Sequence, residues 1–390
     1  MSSGRVVISM DSHTELVVDL KPYLPTKYHE EFDHGVQLSV QYTADAGHAF
    51  RSMMEGHNNP IVDFPTQKER GRGVAEYTPH IPMKQRLEVL DDQGVAGEFI
   101  VPFTGAQSCD PDVLHAYSQA YDRYFADYIS LAPFRFRGAN VVNLICGIET
   151  AVEEVAHAHD HGITAVELSG NVEWVSPELP KLNSPYYDPL WAALDERSMG
   201  AVFHGGTGRA KPRLTWEPGD PGWEALRMID LTSGHRGALT HLLVAGVAER
   251  FPNIRFGYLE SGTRWIPSVL EELDAYAASL RHAGWYRWEK LPSEQWNDHW
   301  FAGGALDRPS VDERDRLGVR ALVWGSDYPH VEGTYPNTGR HLAEMFSGVP
   351  DDEIDAIVAG NAARLFGFDL AQLAQTAAAR VPWPEHSLSR

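Results

Sequence analysis

Short apolar runs alternate with helix-period segments along almost the whole chain. Val6–Met10 (VVISM) is apolar and rich in β-branched residues, and predicts a first strand. Pro82–Gly94 has a proline near its start and a glycine after its end, the punctuation of a helix. Val95–Pro102 (VAGEFIVP) predicts a second strand, Asp110–Ala132 a helix opened by an Asp-Pro cap, and Arg137–Leu144 a third strand. Helix Glu149–His161, stopped by Gly162, leads to a fourth strand, Ile163–Leu168. Helix Asp188–Ser198 leads to a fifth, Gly200–His204. A long helical region, about Trp223–Phe251, precedes strand six at Ile254–Glu260, and helix Ile266–Arg281 follows it. Trp300–Leu306 is a weak seventh strand and Arg320–Ser326 a clear last one, before helix Asp351–Leu365 and a tail that looks frayed after Val381.

Strands apolar throughout and separated by helices imply a parallel sheet covered on both sides. A doubly wound sheet and an eightfold barrel both satisfy that pattern. No G-x-G-x-x-G follows the first strand, which argues against a dinucleotide fold. The polar stretch from Asp19 to about Pro79 is too long for a connecting loop and reads as an insertion over one face.

The chain has 390 residues, with Asp and Glu numbering 54 against 33 Lys and Arg, so 33 − 54 = −21. That field repels polyphosphates, so neither nucleic acid nor an anionic membrane is an expected partner. A small-molecule substrate is expected, and local arginines can still attract an anionic one. The two cysteines, Cys109 and Cys146, imply no disulfide framework and fit a reducing, cytoplasmic setting. The opening MSSGRVVISM is too short in apolar residues for a signal peptide, and no run nears the roughly 18 apolar residues of a membrane span.

Four strand ends carry candidate chemistry. Strand one runs into Asp11-Ser12-His13, where alternate residues share a face and let a carboxylate and an imidazole converge. Strand five ends in His204 before two glycines, strand six in Glu260, and the last strand in Gly325-Ser326-Asp327-Tyr328-Pro329-His330. Asp11, His13, His204 and Asp327 together make a plausible shell for one divalent ion, zinc first, with manganese or iron(II) as alternatives. Taken singly, each has a bland reading as a satisfied polar group at a strand end.

The Asp-Ser-His, Phe-His-Gly-Gly and Trp-Gly-Ser-Asp-Tyr-Pro-His segments resemble the amidohydrolase-related branch of the amidohydrolase superfamily. That branch also holds the aminocarboxymuconate-semialdehyde decarboxylase group. Arg250–Arg255 (RFPNIR) and Gly360–Gly367 (GNAARLFG) are similar to its usual approach to strand six and its terminal helix. The resemblance covers about residues 6–370. It implies an α/β fold, a distorted (β/α)8 TIM barrel spanning 1–380 with the insertion after strand one and a tail at 381–390. It also implies one catalytic metal on Asp11, His13, His204 and Asp327.

Two departures bear on the reaction. The decarboxylases of the group usually show a histidine where this chain has Glu260, and decarboxylation needs an acid titrating near neutrality. The carboxylated lysine of two-metal relatives has no counterpart: no Lys lies between Lys84 and Lys181, and strand four offers only Glu167. The first expectation is therefore a metal-dependent hydrolase acting through a metal-activated water, with Asp327, Glu260 and His330 as catalytic residues. The alternative is a non-oxidative decarboxylase or other lyase on an aromatic or unsaturated acid. A non-catalytic binding barrel ranks third.

Other polar residues have weaker standing. Glu332, like His330, follows Asp327 and can touch substrate or be loop polarity. His235 and His241 read first as satisfied helix groups. Arg209, Lys211, Arg236 and Arg264 are each more simply surface than carboxylate clamp. Trp285, Trp288, Trp296 and Trp300, with Tyr286 and Phe301, read as an aromatic insertion packed on the barrel or a neighbouring subunit, or else as a lid. A homo-oligomer, a dimer, is the expected assembly.

Overall fold

The computed structural model describes residues 4–14, 18–38, 81–102, 108, 110–205, 222–304, 306–330 and 333–381. Most of the insertion, together with Cys109, Arg209, Lys211, Glu332 and the tail after Val381, lies outside the described residues.

Eight parallel strands form one sheet in chain order: β1 (Ile8–His13), β2 (Gly97–Val101), β3 (Phe136–Val141), β4 (Ala165–Glu167), β5 (Gly200–His204), β6 (Arg255–Leu259), β7 (Trp300–Gly304) and β8 (Leu322–Trp324). The expected (β/α)8 barrel is thus present, and the doubly wound alternative, which needs a reversal of strand order, is not. Helices run between the strands: α1 (Met83–Gln93), α2 (Pro111–Ile129), α3 (Ile148–Asp160), α4 (Asp188–Glu196), α5 (Trp223–Val244), α6 (Ile266–Arg281) and, before β7, α7 (Pro292–His299). Among the described residues no helix is long and apolar enough to cross a membrane.

Sequence punctuation fixes the helix ends. Gly94 closes α1 in the left-handed conformation at φ 74°, and the Asp110 carboxylate accepts from the Asp112 amide to cap α2. The long helix before strand six breaks at Gly246, φ 58°, against which the Trp288 indole packs. The weak seventh strand is a full one, buried over all five residues.

Strand one corrects the expected boundary. It begins two residues later than Val6 and continues past Met10 through His13, so the Asp-Ser-His motif is the carboxyl end of the strand, as the shared face of Asp11 and His13 requires. Between Ser9 and Ser12 the strand spends one residue more than β2 does, a bulge that re-aims the side chains beyond it. The barrel closes without a regular ladder. One bridge, Ser12 to Tyr328, spans β1 and the chain after β8. His13 N–H donates to the Tyr328 carbonyl at 2.7 Å and Asp327 N–H to the Asp11 carbonyl at 2.8 Å.

The opposite, amino-terminal end is sealed by α8 (Asn361–Phe366). The Phe366 ring lies 4.6 Å from Phe99 of β2 and 5.6 Å from Phe301 of β7. The Asn361 amide donates to the carbonyls of Val319 and Leu322 at 2.8 and 2.7 Å, pinning the start of β8. The terminal Asn-x-x-Arg-Leu-Phe-Gly motif is therefore a structural plug. Phe366→Ala is expected to cost about 3–5 kcal/mol, the usual range for a buried phenylalanine, as read by denaturant unfolding.

Candidate metal centre

The bulged end of β1 brings Asp11 and His13 inside the carboxyl-terminal rim, and the other strand ends meet them there. His13 Nε2 lies 3.5 Å from Asp11 Oδ1 and 3.2 Å from Asp327 Oδ1. His204 Nε2 lies 3.3 Å from Asp11 Oδ1 and 3.1 Å from Glu260 Oε2. His330 Nδ1 stands 2.8 Å from Asp327 Oδ1, and its ring stacks on His13 at 4.2 Å. Asp11, His13 and His204 form one group with metal-ligand spacing, and His13, Asp327 and His330 a second. The five predicted strand-end residues and His330 are therefore brought together.

Backbone geometry carries strain here. Asp327 and Glu260 have φ of 55° and 50°, two of the three non-glycine residues with positive φ among the described residues. Such conformations cost on the order of 1–3 kcal/mol each and cluster where function over-determines them. Asp11 is held tightly: a Cβ on Gly304, φ 106°, would stand 2.4 Å from Asp11 Oδ2.

Donor counting tests whether a cation fits. His13 Nδ1 faces the Val101 carbonyl at 3.3 Å, and a carbonyl only accepts, so Nδ1 carries the hydrogen. The Nε2 lone pair then points at two carboxylates, and among the described residues no backbone amide or hydroxyl donates to either of them; the His204 and His330 rings face them instead. Three acceptors face one another, and a cation or a proton must stand between them. The proton is disfavoured on His13, which burial and the nearby His330 push down to about 4 against the pull of Asp327. On His204, burial is outweighed by Asp11 and Glu260, which push it up to about 10. The cluster thus draws positive charge. Two carboxylates and two imidazoles fit one divalent ion, which would replace that proton because histidine ligates in its neutral form.

The remaining carboxyls diverge. Burial alone would raise Asp327, but His330 and His13 outweigh it and hold the group well below the ordinary carboxylate range. Glu260 moves upward, through burial first and then through the Asp327 and Asp11 charges, against the pull of His204. Its side chain is 30% exposed, so solvent screens part of that rise, whereas those of Asp11, His13, His204, Asp327 and His330 are at most 9% exposed.

The model of the family described as amidohydrolase matches residues 11–368, from the first candidate ligand to just past the plug. The chain belongs to the amidohydrolase family. Its fold is similar to that of an amidohydrolase from Mycobacterium avium subsp. paratuberculosis K-10, at 19% identity and TM-score 0.65, over 94% of this chain and 100% of that one. It is also similar to 5-carboxyvanillate decarboxylase from Novosphingobium aromaticivorans DSM 12444, solved with manganese and 4-hydroxy-3-methoxy-5-nitrobenzoic acid. There the identity is 15% and the TM-score 0.65, over 94% of this chain and 97% of that one. A third likeness is to dihydroxybenzoic acid decarboxylase from Polaromonas sp. JS666, with bound manganese and 2-nitroresorcinol. It has 13% identity and TM-score 0.60, over 95% and 99%. A search of the curated proteins found no match.

Other candidates of this amidohydrolase stand apart from the cluster. His235 is buried on α5 beside the Tyr258 ring and is pushed down to about 3 by burial first. His241, half-buried, is lowered by burial and by Lys181. Arg236 lies over Trp265, and Arg264 pairs loosely with Asp307 at 3.7 Å. The tryptophan-rich stretch packs on the barrel wall: Trp296 stacks with Trp300 and donates to the Leu317 carbonyl, and Trp288 donates to the Val244 carbonyl. Trp285 alone is exposed, at 78%.

Sequence reasoning missed a buried polar network behind the ligands, made of Arg86, Glu98, Ser9, Ser12 and Ser326. The readable signal was a charge on the apolar face of α1, between Met83 and Leu90, paired with a charge inside the apolar run of β2.

Loading with manganese or zinc is expected to give about one ion per chain by elemental analysis. The His13→Ala/His204→Ala variant should keep its far-ultraviolet dichroism and lose most of the metal. Occupancy should fall as pH drops and the ligand imidazoles protonate.

Proposed function

We propose that the protein is a metal-dependent, non-oxidative decarboxylase acting on a small aromatic or unsaturated carboxylic acid. The carrying observation is the divergence of Glu260 from Asp327. Two carboxyls in one site, one pushed towards keeping its proton and open to solvent, the other held ionised and buried, have separate roles. Glu260, pushed upward by burial and by the Asp327 and Asp11 charges and partly open to solvent, is the acid of this reading. Hydrolysis, the first expectation from the sequence, asks for a base that takes a proton from water near neutral pH. Asp327, buried between His13 at 3.2 Å and His330 at 2.8 Å, is placed as a ligand in this reading. The decarboxylases among the similar structures support the same choice.

A divalent cation held by Asp11, His13, His204 and Asp327 supplies, when bound, positive charge for the anionic oxygens of the substrate. Glu260 gives its proton to the carbon that bears the carboxylate. The bond from that carbon to the carboxyl group breaks, its electron pair returns to the unsaturated system, and CO2 leaves. Glu260 is left ionised and takes a proton from solvent before the next turnover. His330 orients Asp327 by its contact at 2.8 Å.

The test is a panel of hydroxylated benzoic acids with the manganese- or zinc-loaded protein. Stoichiometric CO2 and, in heavy water, deuterium on the vacated carbon are expected. Activity should decline as pH rises through the Glu260 pKa, because the acid must be protonated. Glu260→Gln should lower kcat on the order of 10²–10⁴-fold with metal content unchanged, and Glu260→His should retain activity. Inertness towards every acid on the panel, with ¹⁸O from water entering an amide or ester product, would overturn the decarboxylase.

A further inference from the structure

The ligand-bearing end of β1 is gripped from behind by one buried ion pair. Arg86, on α1 and 1% exposed, sends Nε to Glu98 Oε2 at 2.6 Å and Nη1 to the His13 carbonyl at 2.7 Å. Its guanidinium carbon lies 5.2 Å from the centre of the Tyr328 ring. Glu98 Oε1 accepts from the Ser12 hydroxyl at 2.8 Å. Ser12 continues to Ser9, and Ser9 to Ser326, through contacts of 2.9 Å each. One guanidinium therefore touches His13 on one side of the barrel seam and Tyr328, next to Asp327, on the other. The fork geometry of arginine makes this triple contact; a lysine ammonium offers no planar fork and no flat face to the ring.

We propose that Arg86, with Glu98 as its counter-charge, is a positioning residue that sets the spacing between His13 and Asp327 and thereby the affinity of the site for its cation. The inference rests on the metal-site reading above. Ligands held by outer hydrogen bonds typically lose 10–100-fold in metal affinity when those bonds are removed.

Removing Arg86 alone leaves the Glu98 charge buried and threatens the fold, so the informative variant is Arg86→Met/Glu98→Gln, which removes both charges together. The readout is the manganese Kd of the folded protein, measured by chelator competition well below the melting temperature. The double variant should bind 10–100-fold more weakly, and Arg86→Lys should fall between it and the parent. A merely structural role would shift the melting temperature and leave the Kd of the folded molecules unchanged. A folded double variant within twofold of the parent Kd overturns the proposal. Should the double variant fail to fold, Arg86→Lys decides alone, and parental affinity there overturns it. His13→Ala is the separate control: manganese binding undiminished in that variant would refute the metal site itself, whatever Arg86 does.

Discussion

Three acceptors converge on one point at the seam where the barrel closes. The His13 ring, the Asp11 carboxylate and the Asp327 carboxylate face each other, with the His204 and His330 rings set against the two carboxylates. That arrangement is unfavourable without positive charge, and its surroundings are organised around the demand. The bulge in β1 aims Asp11 and His13 inward, a glycine at position 304 leaves room for the carboxylate, and left-handed backbone at Asp327 turns the third group towards them. The ring of His330 on His13 makes protonation of that imidazole harder still.

A seam joined by two backbone bonds and a single bridge is a weak place in a sheet. It is also where ligands from both edges of the barrel meet. The buried Arg86–Glu98 pair and the serine hydroxyls take the place of the missing ladder. A buried ion pair adds little net stability relative to apolar packing of the same volume, but it fixes geometry, and geometry is what a metal site needs.

The architecture was legible in the sequence because most strands are largely apolar runs and the helices open or close at Gly, Pro or Asp, as at Gly94, Asp110 and Gly246. The strand-end residues were legible for the same reason: Asp11, His13, His204, Glu260 and Asp327 stand out as polar groups where apolar runs stop. What stayed hidden depends on contacts between distant segments. The β1 boundary moved past Met10 because the bulge carries pairing with β2 on through the polar motif, where the apolar run has already stopped. Arg86 and Glu98 cancel each other only in three dimensions. The opposed shifts of Glu260 and Asp327 come from neighbours contributed by other strands, so residue type alone does not separate proton donor from ligand.

The plug formed by Phe366 has a consequence for traffic. With that ring packed against β2 and β7 at the amino end, the polar cluster gathers at the other end, and Glu260 is its side chain that solvent reaches most. A small molecule approaching from solvent meets that partly exposed carboxyl before the buried Asp11, His13, His204 and Asp327.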